Sequence, residues 1–280
     1  MDEPRILLTG LAMGESPRWH EGRLWVCDWG AGEVLAVALD GTSEIVTRVQ
    51  AFPFCIDWDA DGRLLIITGD GRLLRHEADG SLTPRADLTS VEGRHPWNEI
   101  VVDGRGLAYV NNIGFEFPAG PFAPGIIAVV ASDGSARPVA DGVAFPNGMV
   151  VTPDDSTLIV AESYAGRLTA FDLSPDGSLS NRRIWAEIPG SAPDGICLDV
   201  EGAVWYGDVP NRRCVRVREG GEVLQTVKLD RGCFACALGG PDGRTLFMVA
   251  NKWSGPDGMA GGERTGRVLA VGAPGAGWRS

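Results

Sequence analysis

LWVCD (24–28), LLIIT (64–68), LAYVN (107–111), LIVAE (158–162), VWYGD (204–208) and LFMVA (246–250) are one phrase written six times. Their starts lie 40, 43, 51, 46 and 42 residues apart. A period of about 40–50 residues with several short strands per unit marks a propeller blade. Turns such as DGR (61–63 and 103–105), PDD (153–155) and PDG (241–243) precede the phrase, and a second apolar stretch follows it, as at 34–38, 126–130 and 168–172. A further Asp-Gly or Gly-Gly pair closes most units, at 40–41, 79–80, 133–134, 176–177 and 220–221. Asp or Asn before Gly tolerates the positive φ of tight hairpins, while Val, Ile and aromatic residues supply strands. No window of helical length carries an i, i+3, i+4 apolar stripe. The sequence therefore predicts an all-β, six-bladed β-propeller with four antiparallel strands per blade, A to D outward from the central axis. Residues 6–8 are expected to join the last blade's outer edge, and 1–280 to form a single domain.

Composition agrees. The 39 glycines and 18 prolines are turn chemistry rather than disorder, because 44% of the chain is hydrophobic. A net charge of −12 speaks against a nucleic-acid surface, which needs clustered Lys and Arg. No charged leader with an apolar core and no run of about 18 apolar residues is present, so a cytoplasmic protein without membrane partners is expected. The six cysteines then read as reduced, buried thiols. Cys233-x-x-Cys236 has no second pair, and on a regular strand its sulfurs would face opposite ways, so it reads as core. The segment 272–277 reads as a frayed tail. No nucleophile elbow and no P-loop is present, which speaks against covalent serine hydrolysis and nucleotide hydrolysis.

The repeat also serves as a ruler. Counting back 9 to 11 residues from each phrase reaches the start of strand A, and selects Glu15, Phe54, Asn98, Asn147, Asp194 and Ala235. Four of the six carry oxygen. In a propeller these strand ends converge on the axis, where unpaired carboxylates would cost several kcal/mol each. A cation resolves that cost, and an all-oxygen donor set suits a hard ion such as Ca²⁺, with Mg²⁺ or Mn²⁺ as alternatives. Asn-Gly and Asp-Gly are also turn pairs, so the signal is the constellation and not any one residue.

These residues resemble the SMP-30/gluconolactonase (regucalcin-like) family. The resemblance is carried by GESP (14–17) with Trp19, by Asn147-Gly148, SNRR (180–183), Pro193-Asp194-Gly195, DVEGAVW (199–205), QTVKL (225–229) and 236–240. It implies a six-bladed propeller with one divalent metal on its axis, held by Glu15, Asn147 and Asp194, with Asn98 beside it to hold substrate or water. Ca²⁺ leads, with Zn²⁺, Mn²⁺ and Mg²⁺ as alternatives. The implied activity is hydrolysis of sugar lactones or related small lactones.

The expected chemistry is metal polarisation of the lactone carbonyl and attack by water. Asp194 is the candidate base, Asn98 an orienting group, and Glu99 a hydroxyl-recognising or acid–base group. The sequence departs from the animal lactonases two residues before Asn98, where Pro96 replaces an arginine, and at Glu99, which replaces an aspartate. Trp97 and Phe54 are expected to line a pocket that favours an apolar or aromatic lactone, with Cys55 and Phe234 adding wall. Two long loops, 112–125 and 251–265, are placed to cover it; Phe115, Glu116 and, near the entrance, His95 are the substrate contacts expected there, with Phe117, Phe122, Trp253 and Met259 as further cover. A monomer or weak homo-oligomer is expected. The competing readings are a metal-binding scaffold propeller without turnover, and an esterase-like or lyase reaction on the same site.

Overall fold

The computed structural model describes residues 3–91, 96–253, 255 and 263–278. Among them, 24 strands form six four-stranded antiparallel sheets, and there is no helix. Five sheets are each one sequence repeat and the sixth joins Arg5–Leu11 to the last repeat, so the fold is the six-bladed β-propeller that the repeated phrase predicts. Within each blade the phrase is strand B. Inner strands are largely buried, and Leu64–Thr68 and Gly232–Gly239 are buried throughout. The outermost are largely open, as in Ser43–Arg48. That gradient explains why the inner strands are continuous apolar runs and the outer ones are polar.

The chain divides into two compact units. One, Met1–Gln50 with Ala186–Ser280, carries blades 1, 5 and 6, whose A strands are Gly14–His20, Pro193–Leu198 and Gly232–Gly239. The blade 6 A strand packs against those of blades 5 and 1. Strand Arg5–Leu11 is the outer strand of blade 6, as expected, pairing Ile6 with Leu269 and Leu8 with Val268. Leu7 and Leu11 enter a core with Leu24, Val26, Phe247 and Val249. Each buried leucine stabilises by about 1.5–3 kcal/mol. Trp19 of blade 1 stacks on Phe247 of blade 6, with centroids 5.4 Å apart.

The other unit, Ala51–Trp185, carries blades 2, 3 and 4 on A strands Phe54–Trp58, Trp97–Val102 and Pro146–Val151. The blade 3 A strand packs against those of blades 2 and 4. Tyr109, Ile127, Val143, Met149, Leu158 and Phe171 fill the core between blades 3 and 4.

Two expectations need correction. The segment 272–277 is not frayed: Val200 N–H donates to Ala276 O (2.9 Å), Gly277 N–H to Gly243 O (2.9 Å) and Trp278 N–H to Leu198 O. These bonds pin the segment over the ends of blades 5 and 6. Nor do Cys233 and Cys236 face opposite ways. A bulge at Phe234 inserts one residue between them, so both join one core with Cys214 and Trp205. The core reading itself holds: all six cysteines are free thiols, five buried and Cys197 half-buried. Burial pushes the Cys197 and Cys214 thiols well up.

Candidate active site

Strand pairing defines equivalent positions more sharply than counting does. In every blade the first residue of strand A pairs with the last residue of strand B: Gly14 with Asp28, Phe54 with Thr68, Trp97 with Asn112, Pro146 with Glu162, Pro193 with Asp208 and Gly232 with Asn251. The next residue is therefore Glu15, Cys55, Asn98, Asn147, Asp194 and Cys233. The ruler is right for all four oxygen-bearing positions. It slips in blade 2 by one residue and in blade 6 by two.

A β-bulge follows or begins at each of the four oxygen-bearing positions. Two A-strand residues oppose one B-strand residue at Asn98-Glu99, Asn147-Gly148 and Asp194-Gly195; in blade 1 the bulge is Ser16-Pro17, directly after Glu15. Blade 2 has none. A bulge re-aims side chains and is common beside active sites. Ser16 takes the strain in blade 1, with φ at +48°.

In the unit with blades 2 to 4 the site residues form a hydrogen-bonded chain. Asn98 Nδ2 donates to Asn147 Oδ1 (3.4 Å) and lies 3.5 Å from Pro146 O. Asn147 Nδ2 donates to Ser163 Oγ at 3.4 Å. Asn111, wholly buried, joins the two bulges: its Nδ2 donates to Asn147 O at 2.7 Å, and its Oδ1 accepts Glu99 N–H at 3.3 Å. Glu99 is itself buried, with Oε1 accepting Ile100 N–H at 2.9 Å.

The unit with blades 1, 5 and 6 supplies the carboxylates. Glu15 is only 6% exposed and its Oε2 accepts Ser16 N–H at 3.1 Å. Asp194 is half-buried. Gly195 beside it is obligatory for a packing reason. A Cβ there would lie 2.4 Å from Ala235 Cβ and 2.7 Å from Ala235 Cα, so only glycine lets the A strands of blades 5 and 6 approach this closely.

The last residue of strand B latches the segment leading into strand A. The Asp28 carboxylate accepts the N–H groups of Ala12 and Met13 (2.8 Å to Met13). Asp208 accepts Ala192 N–H and is held by Asn211 and Arg213. Glu162 accepts Ala144 N–H at 2.7 Å, with Arg167, Arg182 and Thr169 around it. Burial pushes Glu162 up, but the hydrogen bonds from Arg167, Ala144 and Thr169 outweigh burial and hold its carboxyl below the ordinary range.

The remaining expected contacts are distributed as follows. Phe54 is fully buried, and Trp97 is 2% exposed with its indole edge against Gly71. Phe115 is 4% exposed and forms the hub of a ring cluster, while Glu116 is exposed. Phe234 and Trp253 meet edge-on at 5.5 Å in a small cluster with Met13 and Val209. His95 and Met259 lie outside the described residues. Sequence reading misses Asn111, Ser163, Phe145 and Tyr164. Asn111 ends the phrase LAYVN, a polar residue closing an apolar run, and that is its one visible signal. No group of three or more His, Cys, Asp or Glu among the described residues is placed to hold an ion; two of the candidate donors are amides. No helix among them is long and apolar enough to cross a membrane.

A propeller with oxygen donors at bulged inner-strand starts defines a class, and sequence comparison gives the family. The SMP-30/gluconolactonase/LRE-like region model matches residues 13–252, and the chain belongs to this family. It is 27% identical over 268 residues to regucalcin of Gallus gallus, covering 88% of this chain and 84% of that protein. It is 26% identical over 267 residues to the pentonolactonase of Haloferax volcanii, covering 93% and 89%. The structure of regucalcin from Agrobacterium tumefaciens, described as a calcium-binding protein, superposes with a TM-score of 0.80 at 21% identity, covering 99% of this chain and 95% of that one.

Proposed function

We propose that this protein is a metal-dependent lactonase that opens a small lactone ring with water. The observation that carries the reading is the placement of Glu15, Asn98, Asn147 and Asp194 at the same strand position, each at or one step before a bulge. Membership of a family that includes a pentonolactonase supports lactone as the substrate class.

Glu15, Asn147 and Asp194 would hold the ion. Two carboxylates and a carboxamide are hard oxygen donors, which fits Ca²⁺ first and Mg²⁺ or Mn²⁺ next, with Zn²⁺ as a further candidate. A calcium-binding structural relative supports the same choice. When bound, the ion would polarise the lactone carbonyl. Asp194 would take the proton of the attacking water, a role suited to a half-buried carboxylate. Asn98 orients Asn147 through its amide and would present its own carbonyl oxygen to water or substrate. Glu99, buried beside it, would accept a substrate hydroxyl or hold a proton. The physiological setting proposed is the cytoplasm, with a small-molecule substrate and no nucleic-acid partner.

The test uses chelator-stripped protein reloaded with Ca²⁺, Mn²⁺, Zn²⁺ or Mg²⁺ and assayed on a lactone panel. Turnover should return with one ion, and that ion should raise the melting temperature. Glu15→Gln and Asp194→Asn should each lose metal binding or turnover while keeping the fold by circular dichroism. Full activity in both variants would sink the site assignment. Metal binding without turnover of any lactone would point to a scaffold role.

A further inference from the structure

Five aromatic rings gather where the loop 112–125 of blade 3 meets blade 4. Phe115 is the hub, with centroids 6.1 Å from Phe117, 5.7 Å from Phe122 and Phe145, and 5.8 Å from Tyr164. Phe145 and Tyr164 stack at 4.8 Å with planes 25° apart, and Phe122 leans on Tyr164 at 5.5 Å. The cluster is not closed. Phe122 is 52% and Tyr164 54% exposed, so two large rings stay in water although their neighbours are packed.

Backbone geometry holds the rings there at a cost. Phe145 has φ at +55°, a left-handed conformation that a bulky L residue rarely adopts. It is held by Ser163 N–H donating to Phe145 O (3.1 Å), by Tyr164 N–H donating to Ala144 O (3.2 Å), and by the Glu162 latch on Ala144 N–H. Strain of this kind concentrates at ligand sites. The same two segments position the candidate amide. Asn147 is two residues after Phe145, and its Nδ2 donates to Ser163 Oγ, one residue before Tyr164. Trp97, by contrast, is packed against Gly71 and offers almost no surface. Any ring recognition beside Asn147 therefore falls to the exposed pair. Two open rings are a footprint for one small apolar group, far below the roughly 800 Å² per partner of a stable protein interface.

We propose that Phe145, Tyr164 and Phe122 form a shelf that binds an aryl substituent of the substrate, directing this enzyme to aryl-bearing lactones rather than polyhydroxylated ones. The proposal rests on the lactonase reading for its chemistry but on ring geometry for its specificity. Stacked or edge-on contact with a ring face is worth about a tenfold preference.

The test compares matched ligands that differ by one phenyl group. Affinities for a phenyl-substituted γ-lactam and its unsubstituted parent are measured by calorimetry, and kcat/KM for the corresponding lactones alongside. Wild-type protein should favour the phenyl member about tenfold or more. Tyr164→Ala and Phe122→Ala should collapse that ratio, while Tyr164→Phe should keep it, because the contact is through the ring and not the hydroxyl. Using a ratio removes any effect of partial unfolding. No phenyl preference in wild type, or a preference that survives both alanine variants, would overturn the proposal. If neither lactone is opened but the lactam ratio behaves as expected, the lactonase reading fails and the shelf stands.

Discussion

Asn111 shows how much a single buried amide can organise. It donates to Asn147 O and accepts Glu99 N–H, so it sets the two bulges of blades 3 and 4 against each other. Replacing it with leucine leaves a buried carbonyl and a buried N–H without their partner, at a cost of about 1–3 kcal/mol each. Asn111→Leu is expected to lower the urea midpoint and, if metal affinity depends on Asn147, to weaken metal binding with it. Gly195 offers the second residue-scale prediction. Gly195→Ala should destabilise by about 1–3 kcal/mol through overpacking against Ala235. Ala235→Gly in the same chain should recover part of this loss, since it relieves the clash with the methyl group of Ala235 but leaves the one with its backbone; a thermodynamic cycle in urea measures the coupling. Of these residues, Asp194 and Asn147 are legible in sequence because the following glycine flags them. Gly195 itself reads as turn chemistry, whereas its reason is the close approach of a strand 40 residues away, which no local pattern carries.

The bulge is the element that sets off the oxygen-bearing positions. Asn98, Asn147 and Asp194 open it in blades 3, 4 and 5, and Glu15 directly precedes it in blade 1. Blade 2 lacks the insertion, and blade 6 carries it at Phe234, directly after Cys233. Counting back from strand B misses in blade 6 because its A and B strands pair over a longer stretch, from Gly232 with Asn251 to Gly239 with Thr245. Alternation along a strand is a local rule, but where it skips is decided by the neighbouring strand. The same skip turns Cys233 and Cys236 to one side. Their burial makes a further expectation checkable: Cys27, Cys55, Cys214, Cys233 and Cys236 should be inert to an aromatic disulfide reagent in native buffer and all react once the protein is unfolded in guanidinium. Rapid native labelling of any of the five would contradict the packing described.

For the molecule as a whole, the number of blades and the strand order are legible because the hydrophobic phrase repeats; the latches at the ends of the B strands are not. Asp28, Glu162 and Asp208 look in sequence like ordinary polar residues at strand ends. Their partners are backbone N–H groups 15 to 18 residues away. Two carboxylates, Glu162 among them, couple stability to pH. Glu162 is held below its ordinary value, and Asp230 is lowered to about 2 by its hydrogen bonds from Arg231, against the opposing effect of burial. A carboxylate with a depressed folded value takes up its proton more readily when unfolded. Its stabilisation is therefore full above the ordinary carboxylate range and is lost as pH falls through the folded value. The melting temperature should be level from neutral pH down to about 5 and then fall, with Glu162→Gln showing a shallower fall. The outer strand of blade 6 carries a different consequence. Arg5–Leu11 is made long before its partner, Gly266–Gly272. Until that partner is made, Leu7 and Leu11 lack the Phe247, Val249 and Val268 side of their core, and blade 6 stays open. The strand that waits is thus also a clock: blade 6 cannot finish before Gly266–Gly272 arrives.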